Sequence, residues 1–280
     1  TMADDYSNSN PELGRLYPGH IDVLCARHDR ALERSGAASL VIFSGSPKFA
    51  FLDDFQYPFK PNPHFLSWVP LQQLPHSYLI YTPGQQPVLV YCIPRDYWHP
   101  VPAQPDGYWT ACFDIRVVND IGEAAAHLPD DRGKCILIGE IDDPAHALGI
   151  ERVNPTVAIN ILHYARGVKT AYELACMRLA SQRGARGHAA AEAAFRAGQS
   201  EFDIHRAYCK AVDHTESELP YANIVALNDH GAVLHYTEFD REPPSPMRSF
   251  LIDAGAQVHG YASDITRTHA WDDVRFDELV

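Results

Sequence analysis

The sequence predicts an α/β domain with a mixed sheet over residues 1–167, followed over 168–280 by an α+β block in which helices come first and strands after. Three observations carry this reading. Short β-rich runs alternate with helical stretches between Leu13 and Ile138. Eleven prolines between Pro58 and Pro105 exclude a long helix there and leave only short strands or edges. Two capped helices then precede the last strand-like runs, which gives the second block its order.

Leu13, Leu16, Ile21, Leu24 and Leu32 recur at helical spacing, with Pro18 expected to break or delay the first turn and Gly36 to stop the helix. Ala38 to Phe43 reads as a buried strand, and Ser77 to Thr82 with Val88 to Ile93 as a hairpin joined through Pro83-Gly84. Phe113 to Val118, a helical Ile121 to Leu128 and Cys135 to Ile138 complete the first domain. Asn154 is expected to cap a helix that has Pro155 at its first position. Thr170 and Glu173 form a capping box for the next, which runs to Gly198 and is weakened in its middle by Gly184 and Gly187. Ser200 with Asp203 caps another, and Ile224 to Leu227 and Phe250 to Ile252 read as strands.

Composition narrows the function. The 280 residues are 46% hydrophobic and carry a formal charge of -13, a globular composition that repels a nucleic-acid backbone. No apolar run approaches the roughly 20 residues of a membrane span, and six widely spaced cysteines match neither a zinc ribbon nor a disulfide scaffold. A cytoplasmic protein that binds neither nucleic acid nor membrane is expected.

The informative stretch is Ser249 to His269. Two β-rich segments flank Val258-His259-Gly260-Tyr261, where a glycine supplies the positive φ of a tight reversal. A turn centred between Val258 and His259 sets Asp253 opposite Asp264, about 5 Å apart at Cβ. Two ionised carboxylates so placed repel, and the protein must protonate one, expose both to water, or hold a cation between them. Ile252, Ile265, Phe250 and Leu251 argue for a buried strand, which favours a hard divalent cation such as magnesium, calcium or manganese. Solvated turn aspartates are the plain alternative.

The longer pattern D-x-G-x(4)-G-Y-x-x-D-x-T-R-T is filled by Asp253, Gly255, Gly260, Tyr261, Asp264, Thr266, Arg267 and Thr268. It resembles the signature of the creatinase, aminopeptidase P and prolidase family of metallopeptidases. FLDDFQYPFKPNPHF at 51–65, YELACM at 172–177, YANIVALN at 221–228 and LHYT at 234–237 are similar to bacterial Xaa-Pro dipeptidases, a branch that includes the organophosphate acid anhydrolases.

This resemblance implies a "pita-bread" catalytic fold after the N-terminal domain and two metal ions, commonly manganese. Asp253 chelates one ion, Asp264 bridges both, and Thr266 and Arg267 stand behind them. It further implies His235 as the catalytic histidine near the scissile bond and Tyr221 and Leu234 as substrate-pocket residues. Asp54 belongs to a loop that meets the substrate in the partner subunit of a homodimer. The implied reaction is hydrolysis of Xaa-Pro dipeptides by a hydroxide bridging two ions. Organophosphate hydrolysis and a non-catalytic binding module are the alternatives. In relatives a His and two Glu from later in the chain complete the site. None follows Asp264 here in a matching position, so the chain is expected to be the first part of a longer protein and inactive alone. Phe51, Phe55, Tyr57 and their aromatic neighbours are expected to pack in a dimer contact or on the catalytic domain.

Overall fold

The computed structural model describes residues 9–95, 97, 101, 103–140 and 147–279. Two compact units divide the chain, Thr1–Leu174 and Ala175–Val280.

The first unit opens with α1 (Pro11–Ser35). Asn10 accepts from the backbone N–H groups of Glu12 and Leu13, and Gly36 closes the helix in the left-handed region at φ 63°. Contrary to expectation, Pro18 does not interrupt it. Leu13, Tyr17, Ile21, Leu24 and Leu32 are all buried along one face, and that packing outweighs one lost hydrogen bond. The sheet comprises β1 (Ser39–Phe43), β2 (Tyr78–Tyr81), β3 (Val88–Cys92), β4 (Asp114–Val118) and β5 (Cys135–Ile138), in the order β4-β3-β2-β1-β5. It is mixed as the sequence predicts: β1 runs antiparallel to β2 and parallel to β5, while β3 runs antiparallel to β2 and parallel to β4.

Among the described residues of the proline-rich region the one α-helix is the short α2 (Pro63–Trp68), beside strands β2 and β3. Phe65 and Trp68 enter the core, while Phe51, Phe55 and Tyr57 stand exposed on a loop closed by the Phe49–Gln56 bridge. Before α3 (Thr156–Ala165), Asn154 does not act as the cap. Its side chain instead donates to the Gly139 carbonyl and accepts from the Gly139 N–H, tying the helix entry to the end of β5.

α4 (Ala171–Arg196) starts on the predicted box, with Thr170 and Glu173 exchanging side-chain to backbone bonds at 2.7 and 3.2 Å. In the second unit, α4 and α5 (Glu201–Val212) cover one face of a three-stranded antiparallel sheet. Its strands are β6 (Ile224–Leu227), β7 (Ser249–Asp253) and β10 (Thr266–Ala270), with β7 central. Phe195, Ile204, Tyr208, Val225, Phe250 and Ile252 fill the space between. Gly184 and Gly187 do not weaken α4 so much as let it close. A Cβ at Gly187 would lie 2.5 Å from the Tyr208 ring and from Val212, and one at Gly184 would lie 2.8 Å from Ser263 Oγ. β8 (Gln257–Val258) and β9 (Tyr261–Ala262) form the tip of the β7–β10 hairpin, and α6 (Val274–Asp277) follows.

Candidate functional site

The hairpin forms, in a register two residues from the one expected. Val258 pairs with Tyr261 and Gln257 with Ala262, so His259 and Gly260 are the two central turn residues, with φ of 52° and 85°. Two successive positive φ values are what a two-residue hairpin turn of type I′ requires. The same register continues through the Ser263 N–H to the Ala256 carbonyl and the Ala254 N–H to the Ile265 carbonyl. Asp253 therefore lies opposite Thr266, not Asp264. Because strand side chains alternate with period two, a slip of two leaves Asp264 on the same face as Asp253.

That face is also more open than Ile252 and Ile265 suggested. Along β7, Phe250 and Ile252 are buried while Leu251 and Asp253 are half-buried, and Asp264 and Thr266 are exposed. An antiparallel sheet with one face on the core and one turned outward gives this pattern.

The two carboxylates meet at one phenol. Tyr221 Oη donates to Asp253 Oδ1 at 2.8 Å and lies 3.1 Å from Asp264 Oδ1, while Thr266 Oγ1 donates to Asp253 Oδ2 at 2.9 Å. A phenol has one proton, so it serves one carboxylate at a time and leaves oxygen facing oxygen on the other side. Burial, followed by the hydrogen bond to Asp253, pushes the Tyr221 hydroxyl far above the usual phenol range, so it supplies no charge of its own. A pair of carboxylates converging on a single donor, on one face of a rigid hairpin, is a donor set that fits hard divalent ions.

Gly255 makes the convergence possible. A Cβ there would sit 2.8 Å from the Tyr221 ring and 2.9 Å from Pro220, and would collide with the Ser263 carbonyl. The glycine of the D-x-G pattern is thus the point where the tyrosine closes over the hairpin. His188, from the middle of α4, adds a tether: its Nε2–H donates to the Ala254 carbonyl at 3.0 Å.

The other sequence-predicted residues are placed as follows. Arg267 lies on the opposite strand face from Thr266, and its guanidinium donates to the Thr266 carbonyl at 2.7 Å. Leu234 and His235 are exposed on the connection from β6 to β7. Asp54 is exposed in the aromatic loop of the first unit.

Sequence reasoning missed Glu201. It is 1% exposed, and its carboxylate accepts from the Leu227 N–H and His230 Nδ1, both at 2.8 Å, from the Tyr236 hydroxyl at 2.7 Å and from the Asp240 N–H at 2.9 Å. The bond to Glu201 raises the His230 pKa above its ordinary value. Glu201, His230 and Asp240 are close enough to hold a metal ion, yet the four acceptor positions of Glu201 are already taken. The residue clamps both ends of the segment that carries Leu234 and His235. An acidic residue in a first helical turn is too common to have signalled this.

Comparison with known proteins agrees with this architecture. The family described as Xaa-Pro dipeptidase, N-terminal domain, matches residues 15–164, and metallopeptidase family M24 matches residues 175–279. The chain is 54% identical over 265 residues to the Xaa-Pro dipeptidase of Xanthomonas campestris pv. campestris (strain B100), covering 94% of this chain and 59% of that protein. It is 52% identical over 258 residues to the Xaa-Pro dipeptidase of Stenotrophomonas maltophilia (strain K279a), covering 92% and 58%. The chain thus spans a little under three fifths of the length of these curated relatives. In fold it is similar to E. coli aminopeptidase P with the inhibitor Pro-Leu, with a TM-score of 0.68 at 21% identity over 88% of this chain and 61% of that one. Family M24 implies divalent metal ions. Among the described residues no helix is long and apolar enough to cross a membrane. The chain belongs to the family described as Xaa-Pro dipeptidase, N-terminal domain, whose match spans more than half of it, and residues 175–279 match metallopeptidase family M24.

Proposed function

We propose that this chain carries the metal-binding hairpin of a cytoplasmic, homodimeric Xaa-Pro dipeptidase in which Asp253 and Asp264 are ligands to two divalent ions, with manganese the native metal. The observation that carries the reading is the convergence of both carboxylates on the Tyr221 hydroxyl, at 2.8 and 3.1 Å. The names of the Xanthomonas and Stenotrophomonas relatives supply the substrate class. When bound, the ions supply a Lewis acid for the scissile carbonyl and activate water. The protein's own residues do the rest. Asp253 and Asp264 hold the ions, Thr266 fixes the Asp253 carboxylate by its hydroxyl, and Arg267 stiffens the strand behind them. His235 contacts the substrate near the scissile bond and carries a proton, and Leu234 and Tyr221 line the pocket.

The bond before proline is a tertiary amide with no N–H, so recognition rests on the termini of the dipeptide. Asp54 meets the free amino group from a partner subunit, and the exposed Phe51, Phe55 and Tyr57 around it form the dimer contact. We place the domain boundary near Gly167.

Asp264→Asn tests the assignment in the protein as expressed from its gene. Turnover of an Xaa-Pro dipeptide falls by at least about a thousandfold, with loss of bound metal measured by elemental analysis. Turnover equal to that of the unsubstituted protein overturns the role given to Asp264.

A further inference from the structure

The connection from β6 to β7 is pinned on both flanks and open at its tip. On the β6 side, the Asn228 carboxamide donates to the Pro246 carbonyl at 2.9 Å and accepts from the Arg248 N–H at 2.8 Å. On the other flank, the Phe202 N–H donates to the Asp240 carbonyl at 3.1 Å, and the Phe239 ring stacks on His205 with centroids 4.3 Å apart. Glu201 ties the flanks together, since its one carboxylate takes the N–H of Leu227 and that of Asp240. Twelve residues lie between those two amides, which makes the segment a compact surface loop with its ends side by side. Val233, Leu234 and His235 stand exposed at its tip, Leu234 at 88%.

An exposed tip takes its position from the nearest anchor, and here that anchor is the residue after His235. Tyr236 is half-buried where His235 is exposed. Its hydroxyl donates to Glu201 Oε2 at 2.7 Å, and its ring stacks on His230 with centroids 4.5 Å apart and planes 25° from parallel. His230 in turn donates from Nδ1 to Glu201 Oε1 at 2.8 Å. One carboxylate thus fixes the phenol twice, by its oxygen and through the ring it lies on. A hydroxyl bonded to a carboxylate is held more firmly than one bonded to a neutral acceptor. Neighbouring Cα atoms are about 3.8 Å apart, so a fixed Tyr236 leaves His235 little room to wander.

We propose that Tyr236, held by the buried Glu201 carboxylate, is a positioning residue for His235, setting where the imidazole stands against the substrate. The inference rests on the substrate contact given to His235 above and adds a residue that touches no reacting atom. A shift of about 1 Å in a group at the scissile bond can cost up to about a hundredfold in rate, so the bond to Glu201 has a kinetic consequence beyond stability. A clamp that only stabilised the fold would move the melting temperature and leave turnover per folded molecule alone.

A double-mutant cycle on Tyr236 and His235 tests it, in the metal-loaded protein as expressed from its gene and with an Xaa-Pro dipeptide as substrate. Tyr236→Phe keeps the ring on His230 and removes one hydroxyl, whereas Glu201→Ala would orphan four donors and confuse position with folding. Tyr236→Phe is expected to lower kcat roughly tenfold with KM within about twofold and bound metal unchanged. His235→Ala alone is expected to lower kcat about a hundredfold, and in that background Tyr236→Phe changes the residual rate by less than about twofold. An equal factor in both backgrounds, or an unchanged kcat in Tyr236→Phe, overturns the positioning role and leaves the peptidase reading standing. Unchanged turnover in His235→Ala overturns the role of His235 and the positioning role with it.

Discussion

Two groups of carboxylates in the second unit meet their needs in opposite ways. Glu201 is sealed from water and accepts from four donors on the one stretch between Leu227 and Asp240. Asp253 and Asp264 stand on the open face of the sheet and share one phenolic proton, with a threonine hydroxyl added on one of them. The saturated carboxylate has no acceptor left for an ion and holds the fold together; the under-supplied pair repels itself and keeps acceptor positions open for the ions proposed above. Counting donors against acceptors therefore separates a structural acid from a proposed ligand more sharply than proximity does.

The contrast is broken most directly at Glu201. Glu201→Ala orphans four donors at once and is expected to cost at least about 3 kcal/mol of stability, read as a lowered denaturation midpoint. Hydrogen exchange should quicken through residues 228–240. If the loss is under about 1 kcal/mol, the clamp is not structural. Gly255→Ala is next: the added methyl meets the Ser263 carbonyl and the Tyr221 ring, for an expected cost of about 2–3 kcal/mol together with weakened metal binding in calorimetry. At the hairpin pair the sign reverses. Asp253→Asn removes a repulsion and should leave the metal-free melting temperature equal or higher, whereas a marked drop would mean the carboxylates stabilise the fold. The smallest effect is expected from Tyr221→Phe, under about 1 kcal/mol in stability, since the hydroxyl sits at a half-open site.

The first unit supplies a control that involves no carboxylate pair. His28 is buried with Nδ1–H donating to the Leu24 carbonyl at 2.7 Å and Nε2 accepting from the Trp68 indole at 3.4 Å, so only the neutral ring satisfies both contacts. Burial holds His28 at about 4, and burial with the nearby Arg166 holds His64 at about 4. Both folded values lie below the ordinary 6.5, so the unfolded chain binds more protons between these limits. Stability is full above pH 6.5 and falls as pH drops towards about 4. Denaturant melts at pH 7 and pH 5 should differ by roughly 1–3 kcal/mol, and His28→Gln should remove about half of the difference, the rest belonging to His64.

The sequence carried the strand order of events well because apolar runs and caps are local signals. Thr170 with Glu173 and Ser200 with Asp203 act where their spacing puts them. It carried less where the answer depends on a neighbour distant along the chain. Pro18 is tolerated because its helix is buried along one face, and Asn154 is drawn away from its helix by Gly139. Asp253 and Asp264 were legible as a pair from the motif, but their register depends on which residues take positive φ, and His259 is not a residue from which that can be read. The Tyr221 hydroxyl and Glu201 act through contacts made 26 to 43 residues away and leave no periodic trace.

The single register kept from Ser249 to Ala270 has one more result. Ten residues lie between the two acidic residues, and a deletion or insertion of a single one would rotate an entire arm so that one carboxylate emerged into the packed interior against Phe195 and Tyr208. Changes by pairs keep both on the same side. The hairpin is in effect governed by odd and even, and any redesign of its tip must respect that parity before it considers which amino acids to use.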